Sequence, residues 1–168
     1  MRTHSRKISA TARETVQSFE EIVWAMLPQN DTLTSLVEYL GRRVDELFEN
    51  TSIQYRFSAP NNLPAVMVPA EVRHSIFLAC KEALHNVIRH SRARNVLVQV
   101  TTYDSTVEIR IEDDGCGFDT TTPPVSGNGL TNMRKRFETL GGQFDLESRP
   151  GSGTRIRMTL LLKPMKTP

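Results

Sequence analysis

Acidic and amide side chains in the middle of the chain are spaced so that they could serve phosphate chemistry. Glu82 and Asn86 are four residues apart, so a helix would place both on one face. A carboxylate beside an amide oxygen suits a hydrated Mg²⁺ that carries phosphates, because Mg²⁺ prefers oxygen ligands and keeps several waters. In isolation such a pair is more often a solvated helix face. The other face of this helix is predicted to be apolar, with Ile76, Cys80, Ala83, Leu84, Val87 and Ile88.

A second candidate segment stands directly after an alternating strand, where Asp113 is followed by Gly115 and Gly117. A carboxylate at a strand end can accept a hydrogen bond inside a pocket, and glycines let the backbone approach a flat ligand closely. The simpler interpretation is a tight acidic turn.

Two further glycine segments come later in the chain. Gly127 and Gly129 precede a helix predicted to start at Leu130, and the free N–H groups of a helix start attract phosphate oxygens. A turn from Gly151 to Gly153 leads into the last strand at Thr154. Alone, the first would be a flexible linker and the second a plain hairpin.

Taken in order, the four segments resemble the GHKL ATPase superfamily, which includes DNA gyrase and histidine kinases. Residues 82–86 resemble the N box, 113–117 the G1 box, 127–129 the G2 box, and 151–154 the final glycine-threonine element. The stretches KEALHNVIRH and GLTNMRKR further resemble histidine kinases of the nitrate-sensor and DesK-like subgroup. The resemblance covers residues 65–162.

The resemblance implies a role for each site residue. Asp113 is expected to accept a hydrogen bond from the adenine amino group of ATP, supported by Thr154. Asn86 is expected to coordinate Mg²⁺, and Glu82 to orient a water or polarise the attacking group. The remaining residues are expected around the nucleotide and its phosphates: His90, Gly115, Gly117, Gly127, Gly129 and Leu130.

The implied function is that of a protein histidine kinase in two-component signal transduction. Its partners would be ATP, a phosphoacceptor helix of the same parent protein and a response regulator, and the parent is expected to be a homodimer. Two alternatives stay open. One is an ATP-driven clamp or serine-directed regulatory kinase of the same superfamily, and the other is a non-catalytic module that retains the fold.

The resemblance implies that the phosphoacceptor is not among the histidines of this chain. In the family it is followed by an acidic residue, whereas His4, His74, His85 and His90 are followed by serine or asparagine. The acceptor is therefore expected on a separate helix, and the chain is interpreted as a catalytic domain without it.

The N-terminal segment predicts a helix from Ile8 to Leu27. Its heptad seam is Ile8, Ala12, Thr15, Phe19, Ile22 and Met26. The resemblance implies that residues 1–28 are the end of a dimerisation helix and residues 29–168 the ATP-binding catalytic domain. The alternative is a helix packed on its own domain.

The remaining elements predict the fold class. A helix capped by Asp31 is followed by a strand at Ile53–Phe57 and a helix from Pro69 to about His90. Paired strands at Val96–Thr101 and Val107–Glu112, a helix from Leu130 to Leu140 and a final strand pair then complete an α+β fold. The resemblance implies that it is a two-layer sandwich of the GHKL type. Its sheet is expected to be mixed and mostly antiparallel, with helices on one face.

Composition narrows the function classes. The 168 residues carry a formal net charge of +2, which gives no electrostatic argument for nucleic acid binding. Two cysteines suggest no disulfide framework, so a reducing cytoplasm is expected, although the parent could be membrane-anchored. P-loop and dinucleotide-binding fingerprints are absent from the sequence.

Overall fold

A computed structural model describes residue 16, residues 19–121 and residues 128–162. One five-stranded sheet organises this part of the chain. Its strands are β1 (Gln54–Ser58), β2 (Asn95–Tyr103), β3 (Thr106–Asp113), β4 (Gln143–Ser148) and β5 (Thr154–Leu161). Their spatial order is β1-β2-β3-β5-β4, in which β1 and β2 are parallel and every other pair is antiparallel. The mixed, mostly antiparallel sheet is therefore confirmed.

Among the described residues, four α-helices accompany the sheet, together with a 3-10 turn at Pro28–Asn30 and a π-helical turn at Val87–Ser91. Residues 19–26 are helical and are called α1 here. They are followed by α2 (Leu33–Phe48), α3 (Ala70–Asn86) and α4 (Gly129–Thr139). No helix within the described residues combines the length and the apolar character that a membrane crossing needs.

The helices cover one face of the sheet because the central strands alternate strictly. In β3, Val107, Ile109 and Ile111 are buried, whereas the residues between them are only half-buried. The buried positions of β2, β3 and β5 join the apolar faces of α2 and α3 in one core. On the opposite face Arg155 pairs with Glu112 and Glu147, as expected of a solvated surface. The two-layer sandwich predicted from the sequence is confirmed.

One local expectation was wrong, and the predicted extent of the third helix is confirmed with a change of geometry in its last turn. The N-cap of α2 is Thr32 and not Asp31, because the Thr32 hydroxyl accepts the Ser35 backbone N–H at 3.2 Å. The third helix keeps α geometry only to Asn86, and a π-helical turn then runs from Val87 to Ser91. Such widened turns are common at functional sites.

Helix α1 lies against the domain through one face only. Glu21, on that face, is 3% exposed, and Trp24 stacks on Tyr39 with ring centroids 3.8 Å apart. The described members of the heptad seam lie elsewhere on the helix: Phe19 is 67% exposed, Ile22 43% and Met26 64%. The seam therefore stays available to another partner, and its members before residue 16 lie outside the described residues.

Candidate functional site

Three polar side chains form a row across neighbouring strands at one end of the sheet. Asp113 ends β3 and is paired in register with Thr154, the first residue of β5. Thr154 is in turn paired with Ser148, the last residue of β4. Paired residues project on the same side of a sheet, so all three lie on the helix-covered face. We call this row the polar edge.

Asp113 is the most buried member of the polar edge, with 6% of its surface exposed. Its carboxylate accepts the backbone N–H of Gly115, with an N···Oδ1 distance of 2.9 Å, and the backbone N–H of Thr154. Burial nevertheless raises the pKa of this carboxyl above its ordinary value, which the two hydrogen bonds only partly offset. A carboxylate so held can accept a hydrogen bond from a ligand donor.

The neighbouring Asp114 is used differently. It is exposed, and its oxygens accept the backbone N–H groups of Arg94 and Asn95 at 2.8 Å and the Asn95 side chain at 2.7 Å. The hydrogen bonds from Asn95 are the main reason that the pKa of Asp114 is lowered. Asp114 thus closes the turn before β2, and Asp113 is the member of the pair that faces the interior.

Glycines let the backbone close tightly around the polar edge. A Cβ on Gly115 would overlap the Ser91 carbonyl oxygen and come within 2.8 Å of the Asp113 carboxylate. Gly117 has a φ of +57°, and a Cβ there would overlap the Arg149 carbonyl oxygen. The loop after β3 and the turn between β4 and β5 therefore pack backbone to backbone, which only glycine permits.

The π-helical turn joins the end of α3 to this loop. The Cys116 backbone N–H donates to the Ser91 carbonyl oxygen at 2.7 Å, and the Cys116 thiol lies 3.4 Å from the His90 carbonyl oxygen. The His90 side chain is exposed. The widened turn thereby brings the helix that carries Glu82 and Asn86 against the loop that carries Gly115.

Glu82 and α4 also meet. A Cβ on Gly129, the first residue of α4, would overlap the Glu82 carboxylate, so the glutamate side chain lies against that glycine. Asn86 is the last residue of α3, and Leu130 packs against the core from α4. Gly127 lies outside the described residues. Glu82, Gly129 and the polar edge are thus placed around the C-terminal end of α3.

The residues present fit a magnesium ion carried by phosphates. Asn86 and Glu82 are one helical turn apart on α3, and both are half-buried with oxygens that this ion accepts. Magnesium in phosphate-transfer sites usually takes one or two protein oxygens and completes its shell with water and phosphate. Among the described residues, no group of three or more His, Cys, Asp or Glu side chains is placed to hold a metal.

Fold and site together define an ATPase-type domain of two layers. The sequence profile of the histidine kinase-, DNA gyrase B- and HSP90-like ATPases matches residues 71–164. This match takes in α3, the polar edge and α4, which is more than half of the chain. The chain belongs to this family.

Its relatives are sensor histidine kinases. Sensor protein VraS from Staphylococcus aureus strain COL is 30% identical over 119 residues, which are 71% of this chain. The chain spans 34% of the length of VraS. The histidine kinase domain of the blue-light activated histidine kinase from Erythrobacter litoralis is 25% identical, with a TM-score of 0.64, and the match covers 76% of this chain and 61% of that one. Acinetobacter baumannii histidine kinase AdeS, 15% identical with a TM-score of 0.65, covers 94% of this chain and 83% of its own and shares the fold.

One residue of the polar edge escaped the sequence analysis. Ser148 carries no motif, and a serine at the end of a short strand is ordinary. Its place became evident only from the register, which sets it beside Thr154, where the two hydroxyl oxygens are 3.0 Å apart.

Proposed function

We propose that the chain binds ATP with Mg²⁺ and directs the γ-phosphoryl group to a histidine on a separate helix, as the catalytic domain of a sensor histidine kinase. The observation that carries this proposal is the polar edge, in which a buried carboxylate ends a strand beside glycines that admit only backbone. Membership of the family and the likeness to VraS support it.

Adenine recognition would rest on Asp113. Its carboxylate accepts a hydrogen bond from the amino group of adenine, and Thr154 supports that contact. Guanine presents a carbonyl oxygen at the same position, so two acceptors would face each other. Gly115 and Gly117 let the neighbouring backbone close against the loop after β3, which holds Asp113 in place at the strand end.

Phosphate binding would depend on residues on the other side of the site. Gly127 and, in the first turn of α4, Gly129 and Leu130 would provide backbone N–H groups for phosphate oxygens. Asn86 would hold the magnesium ion, which neutralises charge on the phosphates when bound. His90, on the π-helical turn, would lie near the same groups.

The reaction itself would be an in-line transfer. A nitrogen of the acceptor imidazole forms a bond to the γ-phosphorus while the bond to the bridging oxygen breaks, and ADP leaves with that electron pair. Glu82 polarises the attacking group, and positioning does most of the work. The phosphoryl group would then pass to a response regulator. The exposed seam of α1 would pack against a partner helix in the dimeric parent.

Calorimetric titration with ATP and GTP tests the adenine assignment. ATP should bind in the presence of Mg²⁺ and GTP poorly. Asp113→Asn should cost about 1.5–3 kcal/mol, roughly 10- to 150-fold in affinity, as expected for a hydrogen bond to a charged group. Equal affinities for ATP and GTP would remove Asp113 from this role.

Two variants separate metal binding from transfer. Asn86→Ala should weaken ATP binding more in Mg²⁺ than in EDTA, and an equal loss in both would exclude Asn86 as a ligand. Glu82→Gln should lower turnover while leaving affinity nearly intact, because its contribution arises in the transition state.

A transfer assay tests the kinase itself. With γ-labelled ATP and a separate dimeric fragment bearing an acceptor helix, acid-labile and base-stable label should appear on the fragment. The chain alone should remain unlabelled. Strong labelling that maps to His4, His74, His85 or His90 would contradict the assignment of the acceptor to another helix.

A further inference from the structure

The hydroxyl of Ser148 makes three polar contacts at the polar edge. Its oxygen lies 2.9 Å from the Phe118 backbone nitrogen, 2.9 Å from the Gly153 carbonyl oxygen and 3.0 Å from the Thr154 hydroxyl oxygen. The loop after β3, the β4–β5 turn and the first residue of β5 thus converge on one half-buried side chain.

Only one arrangement of protons satisfies all three contacts. The Phe118 N–H can only donate, and the Gly153 carbonyl can only accept, so the single Ser148 proton must go to Gly153. The Thr154 hydroxyl must then donate to Ser148. If Ser148 donated to Thr154 instead, its oxygen would face the Gly153 carbonyl at 2.9 Å with no proton between them.

This arrangement fixes the direction of the Thr154 hydroxyl proton. Because that proton points to Ser148, the Thr154 hydroxyl can offer a ligand only its lone pairs. Asp113, paired with Thr154 in register, also offers lone pairs. The strand ends therefore present two neighbouring acceptors and no side-chain hydroxyl donor.

We infer that Ser148 is a specificity-determining positioning residue, which orients the Thr154 hydroxyl so that the site accepts a purine with an amino group at C6 and rejects a 6-oxo purine. The inference rests on the proposed ATP binding and adds to it. A 6-oxo purine would meet the carboxylate of Asp113 and an oriented Thr154 lone pair together. Without Ser148, the Thr154 proton is free to turn toward a 6-oxo oxygen.

Calorimetric titration of the full chain with ATP and ITP tests this role, because the two nucleotides differ at the C6 edge of the base. Ser148→Ala should lower the ratio of the ITP to the ATP dissociation constant by roughly 3- to 10-fold, about one neutral hydrogen bond. Ser148→Thr, which keeps the hydroxyl, should retain the wild-type ratio. The control Ser152→Ala, at an exposed residue of the same turn, should also retain it.

A second variant keeps the test independent of the folding of Ser148→Ala. Thr154→Val removes the oriented hydroxyl and should also lower the ratio, and adding Ser148→Ala to it should change the ratio no further. An equal loss of affinity for both nucleotides in Ser148→Ala would show a merely structural anchor and overturn the inference, as would an unchanged ratio in Thr154→Val. Failure of the wild type to bind ATP would instead overturn the proposed function on which the inference rests.

Discussion

The two ends of α3 are attached to their surroundings in opposite ways. Along its length from Arg73 to Lys81, long charged side chains reach across to α1: Lys81 binds the Glu21 carboxylate at 2.7 Å, and the Arg73 guanidinium donates to the Ala25 carbonyl oxygen at 2.5 Å. At its C-terminal end, the Ser91 carbonyl meets the backbone of Cys116 and Gly115 directly.

The side-chain contacts to α1 can be released, whereas the backbone contacts at the other end cannot. Side-chain ion pairs can open by rotation about side-chain bonds and leave the backbone in place. Backbone contacts between glycine-bearing loops admit no added atom, so they fix the polar edge before any ligand arrives. The fold thus combines a polar edge held by backbone contacts with a helix held by side-chain contacts, both on the same central element.

Gly117→Ala should produce the largest effect, because it strains the rigid end. The added Cβ would overlap the Arg149 carbonyl oxygen at a φ of +57°. Left-handed strain of about 1–2 kcal/mol and overpacking of about 1–3 kcal/mol should together lower the free energy of unfolding and weaken ATP binding.

Gly141→Ala is the matched control for this prediction. Gly141 has a φ of +73°, but an added Cβ there would point into open space, so only the left-handed strain applies. Equilibrium urea unfolding of both variants measures the difference. Equal losses would mean that the edge yields to an added carbon and is not rigid.

Arg73→Met should have the next largest effect, at the side-chain end. Arg73 is 1% exposed and also donates to the Val68 carbonyl oxygen at 2.6 Å, so its removal leaves buried acceptors without a donor. We expect a loss of about 3 kcal/mol in urea unfolding. Arg73→Lys should recover part of it, because one ammonium cannot reach every carbonyl that the guanidinium spans.

Sequence patterns predicted the two layers of this fold but not the geometry at the ends of its helices. Strict alternation located β2 and β3 to within two residues, because a strand with one buried face has a strong period of two. The π-helical turn went undetected, since one widened turn barely disturbs the apolar pattern. The cap moved from Asp31 to Thr32 because adjacent residues of similar cap preference can be told apart only by geometry.

The site was predictable to the extent that it consists of glycines and strand ends. Asp113 was placed by its position after an alternating strand. Ser148 and Glu21 were not, because their partners Thr154 and Lys81 come from other elements, and contacts across elements depend on register and packing. The role of each site residue remains a prediction.

Glu21→Gln should have a smaller effect, which is confined to α1. Glu21 also pairs with Arg43 at 3.1 Å, and both cations are mostly buried. Loss of its charge should raise opening of residues 19–26 by roughly 5- to 30-fold, about 1–2 kcal/mol, because these ion pairs hold the helix. Hydrogen exchange measures this opening residue by residue.

The exposed neighbour Glu20 provides the control for this variant. Glu20→Gln removes the same charge from the same helix turn outside the buried face and should leave the exchange unchanged. Strand amides should be unaffected in both variants. If Glu21→Gln accelerates exchange in β3 as well, the helix is an integral part of the fold and not a detachable one.

The pH dependence of Asp113→Asn and Asp114→Asn should show the smallest effect, with opposite signs for adjacent residues. Burial raises the pKa of Asp113 above its ordinary value. The stability associated with its protonated form is therefore fully present below about pH 3.8, and it is lost as pH rises through the folded pKa. The stability of Asp113→Asn relative to the wild type should therefore increase with pH. Hydrogen bonds lower the pKa of Asp114, so its contribution is present above the same reference value and is lost as pH falls through the folded pKa. Asp114→Asn should lose relative stability as pH rises through that interval. Urea unfolding of the three proteins between about pH 3 and pH 7 measures both slopes; slopes of equal sign would mean that burial does not separate the two carboxylates.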